Sequence, residues 1–595
     1  MTRNTQTKSR ISKRRRRTGI IAGIAAILFM VVVCGSAVTS TFGWVFGSIF
    51  SGQDAEDAEV VFAPWNADSA DLTVAVSPVM APVLQEIANR FNSQDMRTPD
   101  GKRMSVATVT LAPDLMVEAA LGSPSFQAIA PDSSLWLEEL EQEWATGLAP
   151  SESPIPIGQS RISNPTRFAV SPIVIAAWES VARDLGWPDA PVGWEVIQAK
   201  AVDDAEFKWN HAGTNTASGL LATLAEFYAG AGLTRGLTEE AATAADTLAY
   251  VQDVEATIRF YGEGEEVILE RLAAEGRAFL DAFVAQERVV IDWNRNQSGE
   301  RLVAIYPAEG TLWTDHPIAL LELGAGQAPS DEIAVTDNQR LTFAAFTEFL
   351  LANESQQHLL SSGYRPADMQ IALDAPGSPF ADTTAVDWRQ PQTTLQMPGA
   401  AVIDVVRNAW YFTKRRTNVY LVVDTSGSMS GEKMTRMREA LTAYVAQVLG
   451  DRDQIGVVEF AGGVKSFTPL RVMDDANRQD TLGVVDQMEP YGGTALIDAA
   501  YLAVEDLQAM NDGEAINAVV LMTDGVENSS YYGLRDLERL IGDNLTNPVI
   551  IFTIGFGSDV DAGMLEEMAR IGGGQYRFTD EANIEELYRI ISTYF

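Results

Sequence analysis

Hydrophobic positions follow three regimes along the chain. From Thr18 to Phe50 there is no charged residue, and Gly19 to Val38 is built from Ile, Ala, Val, Leu, Phe and small residues. About 20 apolar residues cross a hydrocarbon core as a helix, so 18–50 is predicted as a transmembrane segment. Residues 51–70 are acidic and patternless and read as a linker. Over 71–371, strand-like runs alternate with helical spacing. Leu72 to Val76 leads through Ser77-Pro78, read as an N-cap and first helical position, into a helix over Val83 to Phe91. Val106 to Leu111, a helix through Leu121, Phe168 to Ala176 and a helix over Gly219 to Gly230 continue the pattern. It predicts an α/β domain on a mostly parallel sheet.

The third regime is sharper. A stretch rich in Pro, Asp, Thr and Gln (372–400) and a helix over Ala400 to Lys414 make up a connecting segment, 372–416. After it, in 417–595, strands at Val419 to Val423, Ile455 to Phe460, Ala518 to Met522 and Val549 to Ile554 alternate with helices at Met434 to Leu449, Leu496 to Leu507, Met564 to Ile571 and Ile584 to Ile591. Short, continuously apolar strands between helices predict a doubly wound, Rossmann-like parallel sheet.

Charge fixes an orientation. The first 17 residues carry eight Lys or Arg, including Lys13 to Arg17, and no acid precedes Asp54, although the whole chain has a net charge of -38. A basic cluster before an apolar span predicts a cytoplasmic tail (1–17), a single-pass anchor in the cell membrane and an extracellular bulk. A cleaved signal peptide is one alternative. Lipid attachment at Cys34 is another, but Val33 stands where a lipobox wants Gly, Ala or Ser. The acidic body repels phosphate backbones, which argues against nucleic acid and favours divalent cations. One cysteine and three scattered histidines, His211, His316 and His358, exclude disulfides and Cys/His zinc sites within the chain. The histidines are read as structural or surface groups, none of them in the context of a catalytic triad.

The strand Val419 to Val423 ends in Asp424-Thr425-Ser426-Gly427-Ser428. An Asp followed by two hydroxyls at alternate positions presents three oxygens to one point. The strand Ala518 to Met522 runs into Thr523-Asp524-Gly525, and the glycine turn Tyr491 to Ala495 brings Thr494 toward the same edge. Ligands bind at the carboxyl edge of open α/β sheets. Two carboxylates and three hydroxyls suit a hard cation such as Mg²⁺, with Mn²⁺ or Ca²⁺ as alternatives. Each fragment alone is an ordinary turn or helix start; the combination on one α/β domain is what carries weight.

In order and spacing, Asp424, Ser426, Ser428, Thr494 and Asp524 resemble the metal-ion-dependent adhesion site of von Willebrand factor A (VWA) domains, over about 417–595. The resemblance implies that Ser426, Ser428 and Thr494 ligate the metal. Asp424 and Asp524 would act directly or through water, and an acidic side chain of a protein partner would fill an open position. Binding, not turnover, is the implied activity, and the chain is not expected to be an enzyme.

Residues 71 to about 370 resemble extracellular solute-binding proteins with a two-lobed periplasmic-binding fold. The resemblance rests on Val76 to Pro82, Val170 to Val174, Ala304 to Thr311 and Gly363 to Pro366. It implies a small-molecule ligand in an interlobe cleft, with Ser77, Ser171 and Ser218 as contacts or plain N-caps. Two functions therefore stand side by side. One is a membrane-anchored binding or adhesion protein acting through the VWA-like domain; the other is a receptor for an ABC-type transport system.

Overall fold

The computed structural model describes residues 69–579 apart from 148–159, 263, 298, 327, 330–331, 382–383, 449–451, 543–547 and 558–559. The basic tail, the anchor expected at 18–50, most of the 51–70 linker and the closing helix at Ile584 to Ile591 lie outside the described residues. Among those described, no helix is long and apolar enough to cross a membrane.

The middle region has two lobes. The first is a five-stranded sheet in the order Ser105–Thr110, Asp71–Val76, Ala128–Ala130, Pro317–Leu321 and Ile162–Arg167. Its first three strands are parallel, and Pro317–Leu321 runs antiparallel to both its neighbours. In the second lobe the strand Ala169–Trp178 pairs antiparallel with Ala282–Gln286, Leu302–Ile305, Trp313–Thr314 and Arg365–Pro366. Only the short Trp209–Asn210 runs parallel, to Ala282–Gln286. The sheets are thus mixed, not mostly parallel as the alternation suggests. Strand direction depends on where the chain re-enters a sheet, which local apolar spacing does not encode.

Two expected caps are also corrected. The first helix spans Ala81–Ser93, so Ser77 does not cap it but directly follows the strand Asp71–Val76, and its N–H donates to Ala130 O at 3.1 Å. The helix Ala217–Gly230 is capped by Thr216, whose hydroxyl accepts from Gly219 N, and Ser218 lies buried in its first turn.

Residues 372–400 do not hang free. Phe380 and Leu395 are buried, and Leu395 N donates to Thr311 O at 2.9 Å. The helix Ala400–Thr413 buries Ile403, Val406 and Trp410 in the same apolar core as the second lobe. Next to it, the Arg415 guanidinium bridges Ile258 O (2.6 Å) on that lobe and Gly513 O (2.8 Å) on the C-terminal domain.

The C-terminal sheet is ordered Val464–Val472, Gln454–Phe460, Thr417–Asp424, Ile516–Thr523, Val549–Phe556, Tyr576–Thr579. All neighbours are parallel except the first edge strand. Alternating side chains explain the two helix layers. Val419, Leu421 and Val423 pack with Met437 and Leu441 of helix Glu432–Gln447, whereas Tyr420 and Val422 pack with Ala503 and Leu507 of helix Leu496–Met510. Strand order reverses between Thr417–Asp424 and Ile516–Thr523, which places a crevice at their carboxyl ends.

Candidate metal centre

Both central strands are buried along their whole length, so the polar residues that terminate them emerge at a fixed point. Asp424 is the last residue of one; Asp524 directly follows the other. Both are fully buried. The loop after Asp424 is folded by its own side chain, as Ser426 N donates to Asp424 Oδ1 at 2.7 Å. Ser426 Oγ lies 3.0 Å from Ser428 Oγ, and Ser428 Oγ donates to Asp524 Oδ1 at 2.8 Å. A continuous polar chain therefore links four of the five sequence-predicted residues.

The fifth, Thr494, is delivered by the turn before helix Leu496–Met510. Gly492 adopts φ +88°, a conformation other residues rarely take, and its carbonyl accepts from Gly427 N at 3.1 Å. Thr494 N donates to Asn528 Oδ1 at 3.0 Å. Its hydroxyl is located by Gly525: a methyl group there would lie 3.2 Å from Thr494 Oγ1, 3.6 Å from Ser428 Oγ and 3.7 Å from Asp424 Oδ2. Three oxygens, two from the Asp424 to Ser428 turn and one from the Thr494 turn, thus surround one small volume.

Several neighbours escaped the sequence reading. Thr523 Oγ1 donates to Asp424 Oδ2 at 2.5 Å, and Lys433 Nζ sits 2.8 Å from Asp524 Oδ2. Glu527 accepts from Leu496 N at 2.7 Å and so binds the Asp524 loop to a helix N-terminus. Thr523 and Glu527 are close to Asp524 in sequence and could have been suspected; nothing local to Lys433 announces its role. On the rim, Lys465 pairs with Glu459 at 2.6 Å and lies 4.1 Å from the centre of the exposed Tyr491 ring.

Burial pushes the Asp424 carboxyl up to about 6, against the hydrogen bonds from Thr523 and Ser426, with the Asp524 charge adding a smaller upward push. Two buried carboxylates close enough to repel need a cation, and the Lys433 ammonium supplies one at Asp524. The donor set, acidic and hydroxylic oxygens without sulfur or imidazole, fits a hard divalent ion.

Residues 417–578 match the sequence profile of the von Willebrand factor type A domain. The C-terminal domain is a VWA domain. Residues 72–365 match the profile of bacterial extracellular solute-binding proteins, so a two-lobed binding fold precedes the VWA domain. Among curated proteins, mouse (Mus musculus) inter-alpha-trypsin inhibitor heavy chain 4 is 31% identical over 166 residues, which is 27% of this chain and 18% of that one. The chain thus spans about a fifth of the length of the curated relatives it matches. Proximal thread matrix protein 1 from the mussel byssus, solved with zinc in its MIDAS (metal-ion-dependent adhesion site) motif, is 21% identical at a TM-score of 0.26 and covers 30% of this chain and 47% of its own. The sulfate-binding protein of Mycobacterium tuberculosis H37Rv is 15% identical at a TM-score of 0.36, covering 52% of this chain and 90% of its own.

Proposed function

We propose that the VWA domain holds one divalent cation, Mg²⁺ in the first instance, through Asp424, Ser426, Ser428, Thr494 and Asp524, and uses it to grip an acidic side chain of a protein partner. The observation that carries this reading is the ammonium of Lys433 against the buried Asp524. The crevice already accommodates a positive charge at one oxygen of Asp524, whose other oxygen accepts from the Ser428 hydroxyl. When bound, the cation supplies an open coordination position for an acidic ligand that the acidic chain would otherwise repel. The chain's own part is to fix the donors: Thr523 and Ser426 orient Asp424, Ser428 orients Asp524, and the Asn528 side chain holds the Thr494 loop. Exposed Tyr491, Val526 and Tyr531 flank these loops and offer apolar contact area to a partner.

The same proposal places the protein at the cell membrane, anchored by 18–50 with its bulk outside, and assigns it binding rather than catalysis. A second reading, a solute receptor tied to transport, is favoured by a cleft of about 400 Å³ lined by Arg167, Asp315, Trp313, Pro366 and Met397. The serines expected as contacts, Ser77, Ser171 and Ser218, are not among its lining residues; Ser77 Oγ is buried without a hydrogen-bond partner among the described residues, and Ser171 Oγ accepts from Arg288 N at 3.4 Å.

Melting the full chain in EDTA or with Mg²⁺ or Ca²⁺, beside Asp424→Ala, tests the first reading. A cation at about 100 times its Kd adds roughly 2.7 kcal/mol, readily seen as a shift of the parent and absent from the variant. Identical shifts in both proteins would remove the site from consideration.

A further inference from the structure

Three ionisable side chains meet inside the second lobe of the middle region, away from the VWA crevice. His211 follows the strand Trp209–Asn210, Glu226 lies in the helix Ala217–Gly230, and Glu255 ends the helix Ala245–Glu255. All three are 0% exposed. His211 Nε2 is 3.4 Å from Glu255 Oε1 and 3.7 Å from Glu226 Oε1, and one ligand atom from each residue lies within 4.8 Å of the others.

Their hydrogen bonding is one-sided. His211 Nδ1 is 2.7 Å from Ala212 O, and a carbonyl only accepts, so Nδ1 carries a proton and Nε2 is left to present its lone pair inward. An imidazolium donating from Nε2 to either carboxylate would sit at about 2.7–2.9 Å, closer than either contact observed. Glu255 is served as a carboxylate: the Tyr261 hydroxyl donates to Oε2 at 2.5 Å and Trp410 Nε1 to Oε1 at 2.7 Å. Glu226 is not, since neither of its oxygens has a hydrogen-bond partner, and nor does His211 Nε2. Buried acceptors turned toward one another with no donor from the surrounding side chains carry the full cost of their lost hydration unless something positive sits between them.

A cation at the centre resolves this. Ligands 2.0–2.1 Å from a tetrahedral zinc lie about 3.3–3.4 Å apart, the spacing that the His211 to Glu255 contact already has. We propose that His211 Nε2 and the carboxylates of Glu226 and Glu255 form a buried site for a divalent transition-metal ion of the Zn²⁺ or Mn²⁺ class. Imidazole together with carboxylate selects such ions over the hard Mg²⁺ and Ca²⁺. The supporting contacts follow the usual pattern of such sites, with the far nitrogen of the histidine bonded to a carbonyl and a ligating carboxylate oriented by donors. Thr223 Oγ1, one turn before Glu226 on the same helix face, is also buried and unpartnered and is available as a further oxygen.

The position suggests a role. Trp410, which orients Glu255, belongs to the helix Ala400–Thr413, and the Tyr261 hydroxyl that donates to Glu255 accepts from Arg415 N at 2.9 Å just ahead of the first VWA strand. An ion here stiffens the joint between the solute-binding fold and the VWA domain.

The test uses the full chain in an Asp424→Ala background, which silences the VWA crevice, produced with added Zn²⁺ and dialysed before metal analysis. The expected content is about one ion per chain, falling at least tenfold with Glu226→Gln or His211→Gln. Glu226→Gln removes a bare buried acid, so its melt in EDTA should equal or exceed that of its parent. Zinc content unchanged by both substitutions, or no zinc in the background chain even after refolding with Zn²⁺, overturns the proposal. Should neither variant fold, zinc K-edge absorption on the background chain decides: an imidazole and oxygen shell supports the site, and a shell without imidazole overturns it.

Discussion

Replacing Lys433 by methionine keeps most of the side chain's apolar stem and deletes the ammonium 2.8 Å from Asp524 Oδ2. The Asp524 side chain has no exposure and that of Lys433 is 18% exposed, so this is a buried pair and not a surface one. Breaking such a pair from one side leaves an uncompensated charge and costs about 3–5 kcal/mol; the partial access of Lys433 to water places the loss near the lower figure. At about 2–4 °C per kcal/mol for a domain of this size, the VWA melting transition in EDTA should fall by roughly 6–12 °C. In saturating Mg²⁺ most of that loss should vanish, because the cation takes over the neutralisation of Asp524. Metal affinity should move the other way. Mg²⁺ entering the parent must weaken a charge-assisted hydrogen bond worth about 1.5–3 kcal/mol, so its removal should tighten Mg²⁺ binding about 10- to 100-fold. Calorimetric melts with and without Mg²⁺, and a Mg²⁺ titration of each protein, read both effects. Weaker Mg²⁺ binding by Lys433→Met, or an equal drop in both melts, would refute the idea that ammonium and metal compete for Asp524.

Two further outcomes follow from burial. Burial pushes the carboxyls of Asp132 and Glu265 up to about 7 and about 8, far above ordinary unfolded values of about 4. The native chain therefore binds more protons than the unfolded one between these limits, and without added cations its stability should decline as pH rises from about 4 to 8; a melting temperature that rises over that range contradicts the assignment. Gly456→Ala would place a methyl 2.2 Å from the Tyr420 ring in the centre of the VWA sheet, so it should lower the VWA transition by an overpacking penalty of about 1–3 kcal/mol or more, equally in EDTA and Mg²⁺.

The VWA architecture was legible because its central strands are buried on both faces and read as unbroken apolar runs. Elements missed there lack that signal. The edge strand Val464–Val472 has no buried residue, the helix Asp475–Asp486 buries only Thr481 and Val485, and Leu534–Ile541 only Leu537. The five oxygen-bearing residues could be singled out because each sits just beyond a strongly patterned strand or before a patterned helix. Lys433 could not, since its meeting with Asp524 depends on the path of the loop that precedes its helix. His211 shows a different limit: its carboxylate neighbours Glu226 and Glu255 are 15 and 44 residues away in sequence, brought together only by the packing of two helices.

The central claim is that Asp424 and the four residues around it hold a divalent cation. Titrating the full chain and Asp424→Ala with Mn²⁺, with free Mn²⁺ followed by electron paramagnetic resonance, tests it most directly because Mn²⁺ accepts the same oxygen donors as Mg²⁺ and is visible only when free. The account predicts that the parent takes up about one ion per chain more than the variant. Equal uptake by the two proteins would contradict it.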